Sequence, residues 1–463
     1  MTEGPESERR PRPSAQLHRT IGRSWRPWLG CAALAVLVIV HGSAAFSILR
    51  QPLGAAPAQA PLRLWFNDGT HRIGPGADFF ALYGAGASVR RDTGPYGPIP
   101  RDAGVPYAFP YRYSPIVAST LGVAATFARP RTAFVTWACV LEALLLACIV
   151  MWWRRTAGGL RWFGIAALLL STPFVLELQM GQFTFAATAF AFFAALRSDR
   201  PHRGSAPAAL AVGAFLKTFP LVSVPALLRQ RPRVTLAVFA VFAAILAIDV
   251  ALRTAEWQTL LSLNFGATHL SPHDVGNYGL LHAVAQWGRA TGVGFGPTEV
   301  DAAAWWVRIA ALGLACAVAL VRRPNAAGVC IVVAALLIGH FISYQHVWEH
   351  HYSGVVLAGL LVAHGAKSSQ RSWITLAAVA CVLVLAAPTP FYFFDDAHDP
   401  RLWDPAAHWE LWRVALLPTF KALPALLLYL LALRMGVALT GRARVQPAPG
   451  LAPTDTSGAP SRP

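Results

Sequence analysis

Along the chain, polar positions fall into short clusters and apolar positions into long runs. Residues 1–28 are polar and rich in Arg and Pro. An apolar run from Leu29 to Leu49 follows, long enough to cross a hydrocarbon core. A signal peptide has the same order of parts. Its apolar region is shorter, however, and no small-x-small site leading into a soluble domain follows Leu49. The run therefore reads as an uncleaved first helix with its N-terminus in the cytoplasm. Further spanning helices are predicted at 131–153, 163–178, 181–196, 233–252, 302–321, 325–344, 350–366, 372–390 and 414–434, which with the first makes about ten full crossings.

The stretch 206–228 breaks this pattern. Lys217, Pro220 and Pro225 interrupt it, and basic residues flank both ends: Arg197, Arg200 and Arg203 before, Arg229, Arg231 and Arg233 after. Short basic loops stay cytoplasmic, so both ends face the same side and the stretch predicts a helical hairpin broken near Lys217-Thr218-Phe219-Pro220. The same rule puts Arg154 with Arg155, Arg322 with Arg323, Lys367 with Arg371, and Arg434 to Arg444 in the cytoplasm, and the parity of crossings closes. Outside lie a long first extracytoplasmic loop, Arg50–Arg129, a second loop, Arg253–Asp301, and shorter ones at Gln179–Gly181, Tyr344–Glu349 and Phe391–Arg413. Ser114–Ala128 is apolar but short. As a crossing it would put Arg154 and Arg155 outside, so it is expected to lie at the outer interface.

The expected organisation is a basic cytoplasmic tail (1–28), one all-α polytopic membrane domain (29–440) and a disordered cytoplasmic tail (441–463) rich in Pro, Ala, Gly and Ser. Composition agrees. Apolar residues make up 55% and charged residues 13%, about half the charge of an ordinary soluble domain. The net charge of +17 sits in clusters between apolar runs and makes no stripe with interleaved aromatics, so it reports topology and not nucleic-acid binding. Three of the 39 basic residues are lysines, Lys217, Lys367 and Lys421, and Lys217 stands out because it lies inside an apolar run. The six cysteines fall within predicted helices, at no metal-binding spacing, and read as small apolar fillers.

Three constellations carry candidate chemistry. Asp78, in Gly76-Ala77-Asp78-Phe79-Phe80, precedes an apolar stretch; it is either the N-cap of an interfacial helix or a general base that takes a proton from an attacking hydroxyl. Spacing does not separate the two. The segment Tyr344 to Tyr352 holds His346, Glu349, His350 and His351, more polar chemistry than an aromatic belt requires. His346-x-x-Glu349-His350 also fits the inverted zinc-protease pattern, without an identifiable third ligand. Glu177, Gln179 and Gln182 form an outer turn between two short helices. Together with Lys217, whose ammonium needs a partner or a watery cavity in a bilayer, they suggest a polar pocket for an anionic phosphate; snorkelling is the plainer alternative for the lysine. The second outer loop adds His269, His273, Asp274 and Asn277.

Read in order, these pieces resemble the GT-C type membrane glycosyltransferases, most closely glycosyltransferase family 87, which includes polyprenol-phosphate-mannose-dependent mannosyltransferases. The resemblance rests on Asp78-Phe79-Phe80-Ala81-Leu82-Tyr83 with Gly94-Pro95-Tyr96 and Tyr111-Arg112-Tyr113-Ser114-Pro115, then Met180-Gly181-Gln182-Phe183, Lys217-Thr218-Phe219-Pro220, Asn277-Tyr278-Gly279-Leu280 and Trp348-Glu349-His350-His351. It implies a GT-C fold, a polyprenyl-phosphate-linked sugar donor, a lipid or glycan acceptor at the extracytoplasmic face, and inversion at the anomeric carbon. Asp78 falls where such enzymes place the base. Lys217, Gln182, His350 and His351 would serve the donor phosphate, and Tyr83, Tyr113, Glu349, Asn277 and Gln179 the acceptor or pocket. Glu349 stands where many relatives have Asp, and the loop before Tyr111 is long and rich in Pro.

Direct displacement needs one carboxylate on the acceptor side and cationic or hydrogen-bonding groups at the phosphate, and no cofactor. A divalent ion is an admissible substitute for a cation there, although no carboxylate cluster demands one. Two other classes fit parts of the sequence. A lipid transporter or flippase would share the broken hairpin and buried lysine but more often shows paired halves, and a zinc metalloprotease would use His346, Glu349 and His350.

Overall fold

The computed structural model describes residues 13–53, 74–199, 204–265, 277–294, 297–321, 325–389 and 409–440; the tail 441–463 and His269, His273 and Asp274 lie outside them. Among the described residues the fold is all-α, with one isolated antiparallel bridge, Asn277 to Trp348. The helices in chain order are α1 (Pro13–Arg50), α2 (Ala77–Val89), α3 (Pro115–Ala125, with a π turn at Ala118–Gly122), α4 (Pro130–Arg155), α5 (Gly158–Leu169), α6 (Thr172–Met180), α7 (Thr184–Leu196), α8 (Ser205–Leu216) and α9 (Val224–Gln230). Then follow α10 (Pro232–Leu252), α11 (Thr254–Phe265), α12 (Leu280–Ala290), α13 (Pro297–Val321), α14 (Ala326–Ile342), α15 (Tyr352–Ser368), α16 (Ser372–Ala386) and α17 (Leu411–Thr440).

Six described segments are long and apolar enough to cross a bilayer: Gly30–Arg50, Pro130–Arg155, Gly158–Met180, Pro232–Leu252, Ala302–Leu320 and Leu411–Leu439. The apolar runs led to an expectation of about ten. The other four expected crossings fall on shorter helices: α7, α14 and α15, with 13, 17 and 17 residues, are buried along almost their whole length, and α16, with 15, is exposed at Trp373, Leu376 and Leu383. A helix walled in by protein need not match the hydrocarbon thickness. Among the lipid-length segments, α1, α10 and α13 lie at the periphery, with Ile39, Val241, Ile248 and Trp306 exposed, whereas Gly158–Met180 is mostly buried.

Two interruptions follow from local sequence. The helix expected at 163–178 begins earlier, at Gly158, and is cut at Leu170-Ser171, where the Ser171 hydroxyl accepts from Phe174 N–H and Pro173 occupies the first turn of α6. The hairpin break lies where expected. Lys217 is extended (φ −144°, ψ 136°), and Pro220 and Pro225 each open a new turn, a 3₁₀ turn at Phe219–Ser223 and then α9. The run at 114–128 forms the short α3. Its π turn meets α2 at Gly86 and Gly122, so close that a Cβ on Gly86 would lie 2.1 Å from the Gly122 carbonyl carbon. Glycine at this crossing lets α2 seat on α3.

Candidate active site

The site begins with the end of α6. Gly181 has φ 65°, the left-handed conformation that favours glycine, and its N–H and that of Gln182 bond to the Leu178 and Glu177 carbonyls, closing a Schellman turn. A Cβ on Gly181 would lie 2.6 Å from Phe79 Cβ. This turn thus lies directly on the start of α2, an approach also fixed by the 2.7 Å bond from Gly76 N–H to the Gln179 carbonyl. The contact brings Gln182 under Asp78. The Gln182 Oε1 accepts from Phe183 N–H at 2.8 Å and from the Tyr113 hydroxyl, so its amide nitrogen faces Asp78 and donates to Oδ2 at 3.0 Å.

Asp78 does not cap α2. The N-cap is Gly76, with φ 84°, and no side chain bonds to the helix start, which removes the capping alternative. Residues on both sides of Asp78, Ala77 and Phe79 to Gly86, are buried, while Asp78 keeps accessible surface. Burial pushes its carboxyl up to about 6, against the opposite pull of the Lys217 ammonium and the Gln182 amide. It is therefore ionised at neutral pH yet basic enough to take a proton.

Lys217 completes the cluster. Its ammonium donates to the Thr184 hydroxyl at 2.7 Å and lies 5.6 Å from the centre of the Tyr113 ring, between the fields of Asp78 and Glu177. Glu177 is fully buried and accepts from Phe185 N–H at the first turn of α7. The lysine therefore has partners inside the bundle, and snorkelling does not describe it. Behind Tyr113, Phe183 and Trp137 make an aromatic wall, with ring centroids 5.1 Å and 4.6 Å apart in succession.

A second group of residues converges from α14, α15 and the segment before α12. Asn277 accepts from Gly279 N–H and Val347 N–H at 3.0 and 3.1 Å and donates to the Gln345 carbonyl at 2.8 Å, tying two loops together. This fixes the 3₁₀ turn Glu349–His351. His351 Nδ1 accepts from Trp348 N–H at 3.0 Å, so in the neutral ring Nε2 carries the proton. The His350 ring lies 4.4 Å from that of His351, and both of its buried nitrogens lack a hydrogen-bond partner.

The remaining residues singled out in the sequence are engaged elsewhere. Tyr83 donates to the Ala128 carbonyl at 2.9 Å, and the Gln179 amide donates to Gln51 at 3.4 Å. Glu349 turns away from the cluster: it accepts from the Thr389 hydroxyl at 2.8 Å and pairs with the Lys421 ammonium at 3.4 Å. Lys421 is counted among the lysines of the sequence but not singled out there, and Arg308 and His340 are not named. Yet Lys421 and Arg308 lie inside apolar runs as Lys217 does, and that placement is their signal in the sequence. The zinc-protease geometry is absent, because His346 sits in irregular chain before the 3₁₀ turn and not on one helix with Glu349 and His350. Among the described residues no three His, Cys, Asp or Glu side chains are placed to hold a metal ion.

The fold and site define a polytopic membrane protein with a carboxylate, an amide and an ammonium gathered at the ends of short buried helices. Residues 111–343 match the model of glycosyltransferase family 87, and the chain belongs to that family. It is a membrane glycosyltransferase, acting between a sugar donor and an acceptor. The matched segment contains Tyr113, Gln182 and Lys217 but not Asp78, Glu349, His350 or His351. No curated protein and no solved structure matches the chain.

Proposed function

We propose that the protein transfers a hexose, mannose first among them, from a polyprenyl-phosphate donor to a hydroxyl of a lipid or glycan acceptor at the extracytoplasmic face of the plasma membrane. The observation that carries this reading is the Asp78 carboxylate, oriented by Gln182, beside the Lys217 ammonium. Asp78 takes the acceptor proton as the acceptor oxygen bonds to the anomeric carbon. The bond from that carbon to the phosphate oxygen breaks on the opposite face, giving inversion, and polyprenyl phosphate leaves with the electron pair. Lys217 and the His350–His351 pair stabilise the charge that develops on the leaving phosphate. The balance closes without an oxidant, reductant or cofactor.

Purified protein offered a panel of donors is expected to transfer sugar from polyprenyl-phosphate sugars and not from nucleotide sugars; transfer from the nucleotide panel alone would overturn the donor class. The side of the membrane has its own test. In a background without the exposed Cys31 and Cys139, a cysteine placed at 78 is expected to react with an impermeant thiol reagent only from outside the cell. Labelling confined to the cytoplasmic side would reverse the orientation read from the Arg distribution.

A further inference from the structure

Within its apolar stretch Ala302–Leu320, α13 carries a guanidinium, Arg308. No carboxylate lies within ion-pair distance of it among the described residues. Its hydrogen-bond acceptor is the Ser343 carbonyl, at 3.5 Å, the long limit for such a bond, and its Nε is buried without a partner. A cation within a membrane-spanning helix is costly unless it finds a partner or water, and residues that bear this cost mark substrate or ion pathways.

The guanidinium lies at a seam. On one side Trp305, Trp306 and Ile309 are exposed, by 57%, 72% and 57%, where lipid would lie. On the other is Tyr344, whose ring centre is 5.9 Å from Arg308 Cζ. From Tyr344 the contacts run inward. Its ring stacks on His340 at 5.5 Å, His340 stacks on Phe219 at 5.2 Å and 9°, and Phe219 stands two residues beyond Lys217. Tyr344 also meets the His351 ring edge-on at 6.4 Å. The charges of Arg308 and Lys217 both act on His340. Arg308, Tyr344, His340, Phe219 and Lys217 all keep partial exposure. Two cations thus flank one aromatic stack, Lys217 beside Asp78 and Arg308 at the lipid seam.

We infer that Arg308 binds the phosphate of the lipid-linked donor at this seam, and that the donor enters the site from the bilayer on the α13 side. The inference rests on the lipid-phosphate reading above. A guanidinium is suited to the task because its planar fork can give a phosphate two parallel hydrogen bonds while an isoprenoid tail stays in the lipid.

The test compares Arg308→Gln and Arg308→Lys with the parent, each carried forward only if its thermal unfolding matches the parent's. The Gln variant is expected to raise the donor KM about tenfold or more, with kcat and acceptor KM within about twofold, and the Lys variant to recover part of the loss. Polyprenyl phosphate should inhibit the parent competitively against donor and inhibit the Gln variant about tenfold more weakly, while inorganic phosphate at equal concentration should not compete. Unchanged donor KM and unchanged inhibition in the Gln variant would overturn the inference. So would a failure of both variants to fold, which would make Arg308 structural, or equal competition by inorganic phosphate, which would make this a site for free anions. A parent that transfers only from nucleotide sugars fails the donor reading itself; a parent that uses the lipid donor, with an indifferent Gln variant, fails only the role of Arg308.

Discussion

Asp78→Asn is expected to lower the transfer rate per folded enzyme by about 10²- to 10⁴-fold, the usual contribution of general base catalysis, with little change in stability. The substitution isolates the chemistry. Asn is nearly isosteric, the Gln182 amide can still donate to its side-chain oxygen, and α2 starts from Gly76 without help from position 78. What is lost is the negative charge and the capacity to hold the acceptor's proton. Asp78→Glu keeps the carboxylate but displaces it by about one bond length, so weak residual transfer is expected. Rates are to be measured against detergent-solubilised thermal stability as control. Near-normal transfer by the Asn variant would remove Asp78 from the mechanism.

The second large effect concerns a residue remote from the chemistry. Lys421 on α17 is 1% exposed and donates to the carbonyls of Val384, Leu385 and Ala387 while pairing with Glu349, itself fully buried. It therefore closes the C-terminal end of α16 and anchors the turn that carries His350 and His351. Lys421→Met leaves a buried carboxylate uncompensated and several carbonyls without a donor, at a cost of about 3–5 kcal/mol. Glu349→Gln with Lys421→Met should be less damaging than the sum of the two single changes, because neither charge is then stranded. Unfolding in detergent reads both results. A loss below about 1 kcal/mol in Lys421→Met would show that the pair does not hold the turn.

The sequence made legible what depends on local pattern. The break at Lys217-Thr218 followed from two prolines and a lysine in an apolar run with basic residues at both ends. The polar turn at Gln179–Gln182 was visible because few polar residues interrupt the hydrophobic runs. Pairings across the fold were not visible. Nothing local shows that Gly76, and not Asp78, starts α2, or that the amide of Gln182 meets a carboxylate 104 positions earlier. Glu349 looked like a pocket residue because it neighbours two histidines, yet a 3₁₀ turn sends adjacent side chains in different directions, and this one meets α17. The surroundings of each crossing were not visible for the same kind of reason: an apolar run does not tell whether lipid or protein surrounds it, and α7, α14 and α15 are surrounded by protein.

The proposed mechanism requires Asp78 to work as an ionised base, and a pH–rate profile tests this most directly. Its raised pKa lies near 6, so the reactive, deprotonated form predominates above that pH and declines below it. Single-turnover transfer from a radiolabelled polyprenyl-phosphate sugar is to be followed between about pH 5 and pH 8 for the parent and for Asp78→Asn. The prediction is an acid limb in the parent, falling about tenfold per pH unit below an apparent pKa near 6, and no such limb in the residual rate of the Asn variant. A parent rate flat through this range, or the same acid limb in both proteins, would contradict it.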